Sequence, residues 1–148
     1  MRFALSIAFA ILILAACSKE LSVEQHIIAS LKAMEDAAEK GEHFEFMGHV
    51  AESFGGQYGS MDRREFHRFM IFQMSQNRRL YAQFFPIHVQ ETSPGKAAAQ
   101  FNLLVTGGAG LLPDSGQLFE VETHWLLEAN DWMLLKADWN AVRLPESQ

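Results

Sequence analysis

The chain has 148 residues, 49% of them hydrophobic, which is enough for one domain with one core. Its 12 Lys and Arg against 18 Asp and Glu give a net charge of −6, which argues against nucleic acid and against electrostatic adsorption to anionic lipid. The one cysteine excludes an internal disulfide.

Residues 1–17, MRFALSIAFAILILAAC, read as a targeting segment. Arg2 precedes an apolar run from Phe3 to Ala16, broken only by Ser6. The run is shorter than the roughly 20 residues a helix needs to cross a bilayer and fits the hydrophobic stretch of a signal peptide. Its end, Leu14-Ala15-Ala16-Cys17, resembles the lipobox of bacterial lipoproteins. That resemblance implies removal of residues 1–16 and acylation of Cys17, palmitate included, with the mature chain held to the membrane by its acyl chains and no spanning helix. Ser18 stands where retention signals for the inner membrane usually carry Asp, so the expected place is the cell envelope, with the outer membrane favoured where one exists. Loss of Arg2 leaves 11 basic residues against 18 acidic ones, a net charge of −7. Residues 17–21 form the anchor and a tether of four residues, at most about 14 Å at ~3.5 Å per residue, so the domain is expected to ride close to the membrane.

Ser22 opens the first predicted helix. Gln25, three residues on, completes a capping box, and Ile27, Ile28, Leu31, Met34, Ala37 and Ala38 recur at helical spacing up to the stop at Gly41. A second helix is expected over about 42–54, with Phe46, Met47, Val50 and Phe54 inward and Gly55-Gly56 ending it. Asp62 caps a third helix, with Glu65 as its acidic partner; it runs to about Gln76 on a stripe of Phe66, Phe69, Met70 and Gln73 or Met74.

From Leu80 the period changes to two. Tyr81, Phe85, Ile87 and Val89 alternate with polar residues, Pro86 marks an edge strand or a bulge, and Pro94-Gly95-Lys96 makes the turn. A three-residue loop there pairs Val89 with Phe101, Ile87 with Leu103 and Phe85 with Val105. Residues 107–116 form a glycine-rich loop. Residues 117–142 make a last hairpin that carries all three tryptophans. Phe119, Val121, Thr123, Trp125 and Leu127 point one way, and Glu120, Glu122, His124, Leu126 and Glu128 the other. A three-residue loop at Ala129-Asn130-Asp131 pairs Leu127 with Met133, Trp125 with Leu135, Thr123 with Ala137 and Val121 with Trp139. That register gives a nearly unbroken apolar face and is preferred to a two-residue loop at Asn130-Asp131. Trp132, Leu134, Lys136 and Asp138 then face outward. Residues 143–148 are a polar tail.

Three helices followed by a meander of four long strands resemble the nuclear transport factor 2-like superfamily, over about residues 22–142. The closest part is His124-Trp125, Asp131-Trp132 and Trp139, similar to that superfamily's final hairpin. The resemblance implies an α+β fold, a strongly curved and mostly antiparallel sheet closed by helices into a cone, and a short strand near Gln57–Met61. It implies no single activity, because the superfamily holds isomerases, dehydratases, cyclases and many binding or assembly domains.

Motifs for chemistry are sparse. His43 and His49 are six apart and do not share a helix face as metal ligands would. Arg63, Arg64, His67 and Arg68 read as a solvated basic face, and Gly107-Gly108-Ala109-Gly110 lacks the helix and lysine of a phosphate loop. No metal and no cofactor are expected. His124 and Asp138 are the candidate acid and base; they would serve catalysis if their face lined the cone. The more apolar face is the natural inside, so they are placed on the outer surface. The expected function is a non-catalytic, membrane-anchored binding domain for a small apolar ligand or a partner protein, with Phe85, Phe101, Val121, Trp125 and Trp139 lining the pocket. The alternative is an enzyme of the polyketide-cyclase or ketosteroid-isomerase kind. A homodimer through the outer sheet face is expected from an apolar patch of Leu126, Trp132 and Leu134.

Overall fold

A computed structural model describes residues 20–76, 80–107 and 115–143. The signal segment, Cys17, the first two residues of the tether, the tip of the glycine-rich loop and the last five residues lie outside the described residues.

Helix α1, Val23–Lys40, begins on the expected capping box: Gln25 N–H donates to Ser22 Oγ, and Ser22 N–H donates to Gln25 Oε1. It ends at Gly41, whose φ of 72° lets its N–H turn back to the carbonyls of Ala37 and Ala38. Helix α2 is only His43–Met47. Residues 50–54, expected to continue it, instead belong to strand β1, Val50–Gly56. The chain leaves the helix at Gly48, and burying Val50, Ala51 and Phe54 beside the last strand outweighs continuing a short helix. A one-turn 3₁₀ segment, Gln57–Gly59, leads to the two-residue strand β2, Met61–Asp62. Asp62 then caps helix α3, Arg63–Gln76, through reciprocal bonds with Glu65 at 2.7 and 2.9 Å.

Strands β3 (Leu80–Ser93), β4 (Lys96–Gly107), β5 (Ser115–Glu128) and β6 (Asp131–Ala141) form the meander. The six strands lie in the order β2-β1-β6-β5-β4-β3, antiparallel except for the parallel pair β1 and β6. The helices cover one face, where Ile27, Leu31, Phe46, Phe66, Trp125 and Leu134 belong to a single core.

Both long hairpins turn on two residues rather than three, and bulges restore what the turn displaces. In β3–β4 the turn is Pro94-Gly95, with Gly95 at φ 76°. Extra residues on β3, at Thr92 and next to Pro86, shift the register twice. Val89 therefore opposes Ala99, and Phe84 and Ala82 oppose Leu103 and Val105. Pro86 has no N–H for the ladder, so the strand bulges there, and the bulge turns Phe84 inward and Phe85 outward.

In β5–β6 the turn is Ala129-Asn130, both residues at positive φ, as a mirror-image hairpin turn requires. Val121 opposes Trp139 and Thr123 opposes Ala137, in the expected register. Beyond them Leu135 is an extra residue, and Trp125 opposes Leu134. This corrects the outward placement of Trp132 and Leu134. They are 7% and 3% exposed and belong to the core. A bulge inverts side-chain parity on one side of itself, so a uniform alternation cannot describe β6. The apolar patch proposed for dimerisation loses two of its three residues and keeps only Leu126, opposite Met133.

Candidate functional site

Between the helices and the inner face of the sheet lies a cavity of about 480 Å³. α1 contributes Leu31, Met34, Glu35 and Ala38 at helical spacing; α3 contributes Phe66, Phe69, Met70 and Gln73. The sheet contributes Phe84, Phe101, Leu103, Val105, Phe119, Val121 and Trp139. The rings are organised: Phe69 stacks on Trp139 with centroids 5.6 Å apart, and Phe84 meets Phe101 edge-on at 5.0 Å.

Of the residues expected to line a pocket, Phe101, Val121 and Trp139 do so. Trp125 is 1% exposed and packed behind the lining; its Nε1–H donates to Thr123 Oγ1 at 2.8 Å, and Thr123 Oγ1 donates in turn to Ala99 O. Phe85 is 43% exposed on the other face, and Phe84 takes its place.

The polar atoms of the lining are mostly committed. Thr123 is held as described, and Gln117 donates to Leu118 O and Val142 O. Glu35 differs. It is the one ionisable side chain lining the cavity among the described residues, and it joins no hydrogen bond or ion pair with them. Burial, and then the nearby charges of Glu39 and Asp36, hold its carboxyl above the usual carboxylate range, against Lys32. Nothing in residue order singles out Glu35, although Leu31, Glu35 and Ala38 stand at i, i+4 and i+7 on one stripe.

The opposite face carries a polar row. His88, Gln100, Glu122 and Asp138 are successive cross-strand neighbours from β3 to β6, bordering a hollow of about 550 Å³. Most of the residues that border this hollow are polar, Glu120, Lys136 and Asn140 among them. His124 and Asp138 both lie on this side but are not brought together. His124 Nε2 lies 3.0 Å from Glu122 Oε1, and Asp138 accepts from the Tyr58 N–H at 2.6 Å and pairs with Lys136 at 3.1 Å. Asp138 is not solvated as expected: the Gln57–Gly59 turn covers it, leaving it 7% exposed.

His43 and His67 are both partly exposed and face each other, with Nδ1 and Nε2 2.9 Å apart. Burial, then His43 and Arg63, lower the pKa of His67. No group of three or more metal-ligating side chains occurs among the described residues, and no described helix is long and apolar enough to cross a membrane.

No protein-family model matches the sequence, and no curated protein does. Solved structures do match. A provisionally assigned dehydratase of the NTF2-like family from Streptomyces avermitilis aligns at TM-score 0.70 and 16% identity, over 82% of this chain and 96% of that one. An NTF2-like protein of unknown function from Pseudomonas putida KT2440 aligns at TM-score 0.69 and 12% identity, over 83% and 89%. The association domain of CaMKII from C. elegans aligns at TM-score 0.65 and 14% identity, over 78% and 93%. The chain thus has the nuclear transport factor 2-like α+β fold, with a six-stranded mixed sheet.

Proposed function

We propose that this chain is a lipid-anchored envelope protein whose cone-shaped domain binds a small, largely apolar ligand without transforming it. The cavity carries the reading: it is bounded by aromatic and aliphatic side chains from α1, α3 and four strands, with few polar groups free to act on a ligand. Catalysis of the cyclase or isomerase kind would need convergent acid–base groups in it. His124 and Asp138 lie on the other face, each engaged with its own partners.

Native mass spectrometry of the chain purified from its own cells tests the cavity. We expect a retained apolar compound, lost in Leu103→Trp, where the larger ring fills the space while the sheet survives. A ligand that persists in Leu103→Trp, or none on the wild type, would sink the reading. The anchor is tested separately by growth with a fatty-acid analogue. Cys17→Ala should carry no label and keep its leader; label on that variant, or none on the wild type, would remove the anchor from the proposal.

A further inference from the structure

We infer that the ligand class is a lipophilic amine, an apolar body bearing one cationic nitrogen that pairs with Glu35. This rests on the binding reading above and adds to it the chemistry of the ligand.

Most of the charged neighbours of Glu35 on α1 are engaged elsewhere. Lys40 is taken by Asp36 at 2.7 Å, and Glu39 accepts the Ala82 N–H at 3.2 Å, which ties α1 to β3. Lys32 attracts the Glu35 carboxylate without closing to an ion pair, and its pull is weaker than that of burial and Glu39 against it. The Glu35 carboxylate therefore borders a largely apolar cavity, feels the repulsion of Glu39 and Asp36 against the attraction of Lys32, and has no ion-pair partner among the described residues. Glu35 is only partly buried, so its carboxylate gives up part of its hydration to the apolar surface with no partner in exchange. A cation arriving with a ligand relieves that cost and the repulsion from Asp36 and Glu39 together. An alcohol relieves the hydrogen-bond deficit but leaves the charge, and a carboxylic acid would add to it.

The walls favour the same partner. Phe66, Phe69, Phe84, Phe101 and Trp139 line the space. Aromatic ring faces are the negative poles of their quadrupoles, so an ammonium near them gains a second attraction that an anion lacks. Carboxylate and rings share one cavity and both select positive charge, whereas the remaining surface of the cavity selects only apolar area.

Three probes of matched size separate these possibilities: 1-naphthylmethylamine, 1-naphthylmethanol and 1-naphthoate, titrated calorimetrically into the full-length chain and into Glu35→Gln and Leu103→Trp. The amine should bind at least about tenfold more tightly than the alcohol, and the naphthoate should bind worst. Glu35→Gln should erase the advantage of the amine and leave the alcohol within about twofold. Its denaturation midpoint at neutral pH should not fall, since it removes a carboxylate that folding disfavours. Leu103→Trp should weaken amine and alcohol alike. Equal binding of amine and alcohol by the wild type, or equal losses of both in Glu35→Gln, would overturn the amine inference while leaving the cavity as a binding site. Absence of binding by all three probes, or binding untouched by Leu103→Trp, would bring down the cavity reading and the inference with it.

Discussion

Replacing Trp125 with alanine is expected to destabilise the fold by about 3–5 kcal/mol, the usual range for removing a buried large aromatic. Trp125 is 1% exposed, opposite Ala97 on β4 and Leu134 on β6. Two of its neighbours on the inner face, Ala97 and Ala99, are small and 1% and 0% exposed, so they cannot swing in to fill the space. The Nε1–H bond to Thr123 is lost as well, which removes one link of a buried chain that ends at the Ala99 carbonyl. Trp125→Phe should recover most of the volume but not that bond, and should cost less. Chemical denaturation monitored by far-ultraviolet circular dichroism reads both. An unchanged midpoint for Trp125→Ala would show that the side chain is not a core element.

Asp138→Ala is expected to cost about 2–3 kcal/mol, because it deletes a charge-assisted hydrogen bond in a covered site. The acceptor holds the Tyr58 N–H at 2.6 Å, and Gln57 and Tyr58 are both non-glycine residues at positive φ, 48° and 59°. That conformation costs roughly 1–2 kcal/mol per residue, and Asp138 helps to hold it. Trp139 N–H to Gln57 Oε1 and Asn140 Nδ2 to Tyr58 Oη fasten the same turn to β6. Lys136 is half-exposed, so it is left without a partner at little cost. Asp138→Asn keeps an acceptor and should lose less. Amide hydrogen exchange at Tyr58 should rise in the alanine variant before the rest of the sheet is affected. A stability equal to wild type, with Tyr58 still protected, would mean that the carboxylate does not hold the turn and is free for other chemistry.

The contrast between these two residues shows how much could be read in advance. Trp125 lies on a strand of unbroken alternation, so its inward face followed from residue order alone. The same alternation puts Asp138 on the opposite face. Its burial was not legible, because what covers it is a segment some eighty residues away in sequence.

Residue order by itself determined the local elements. Ser22 with Gln25, Asp62 with Glu65, and Gly41 set the bounds of α1 and the start of α3, since caps act within one turn of the backbone. The switch to period two at Leu80 marked the meander, and Val121, Thr123, Ala137 and Trp139 revealed the central register of the last hairpin. The tertiary structure decided everything that depends on where that period breaks. Bulges at Pro86, Thr92 and Leu135 exchange Phe85 for Phe84 and bring Trp132 and Leu134 inside, and the stretch from Val50 leaves its helix to lie beside β6. Each of these trades a local preference for apolar area buried against a distant element. The position of Glu35 belongs to the same group: its helical stripe was visible in the sequence, but only the packing of α3 and the sheet around it makes that stripe the wall of a cavity.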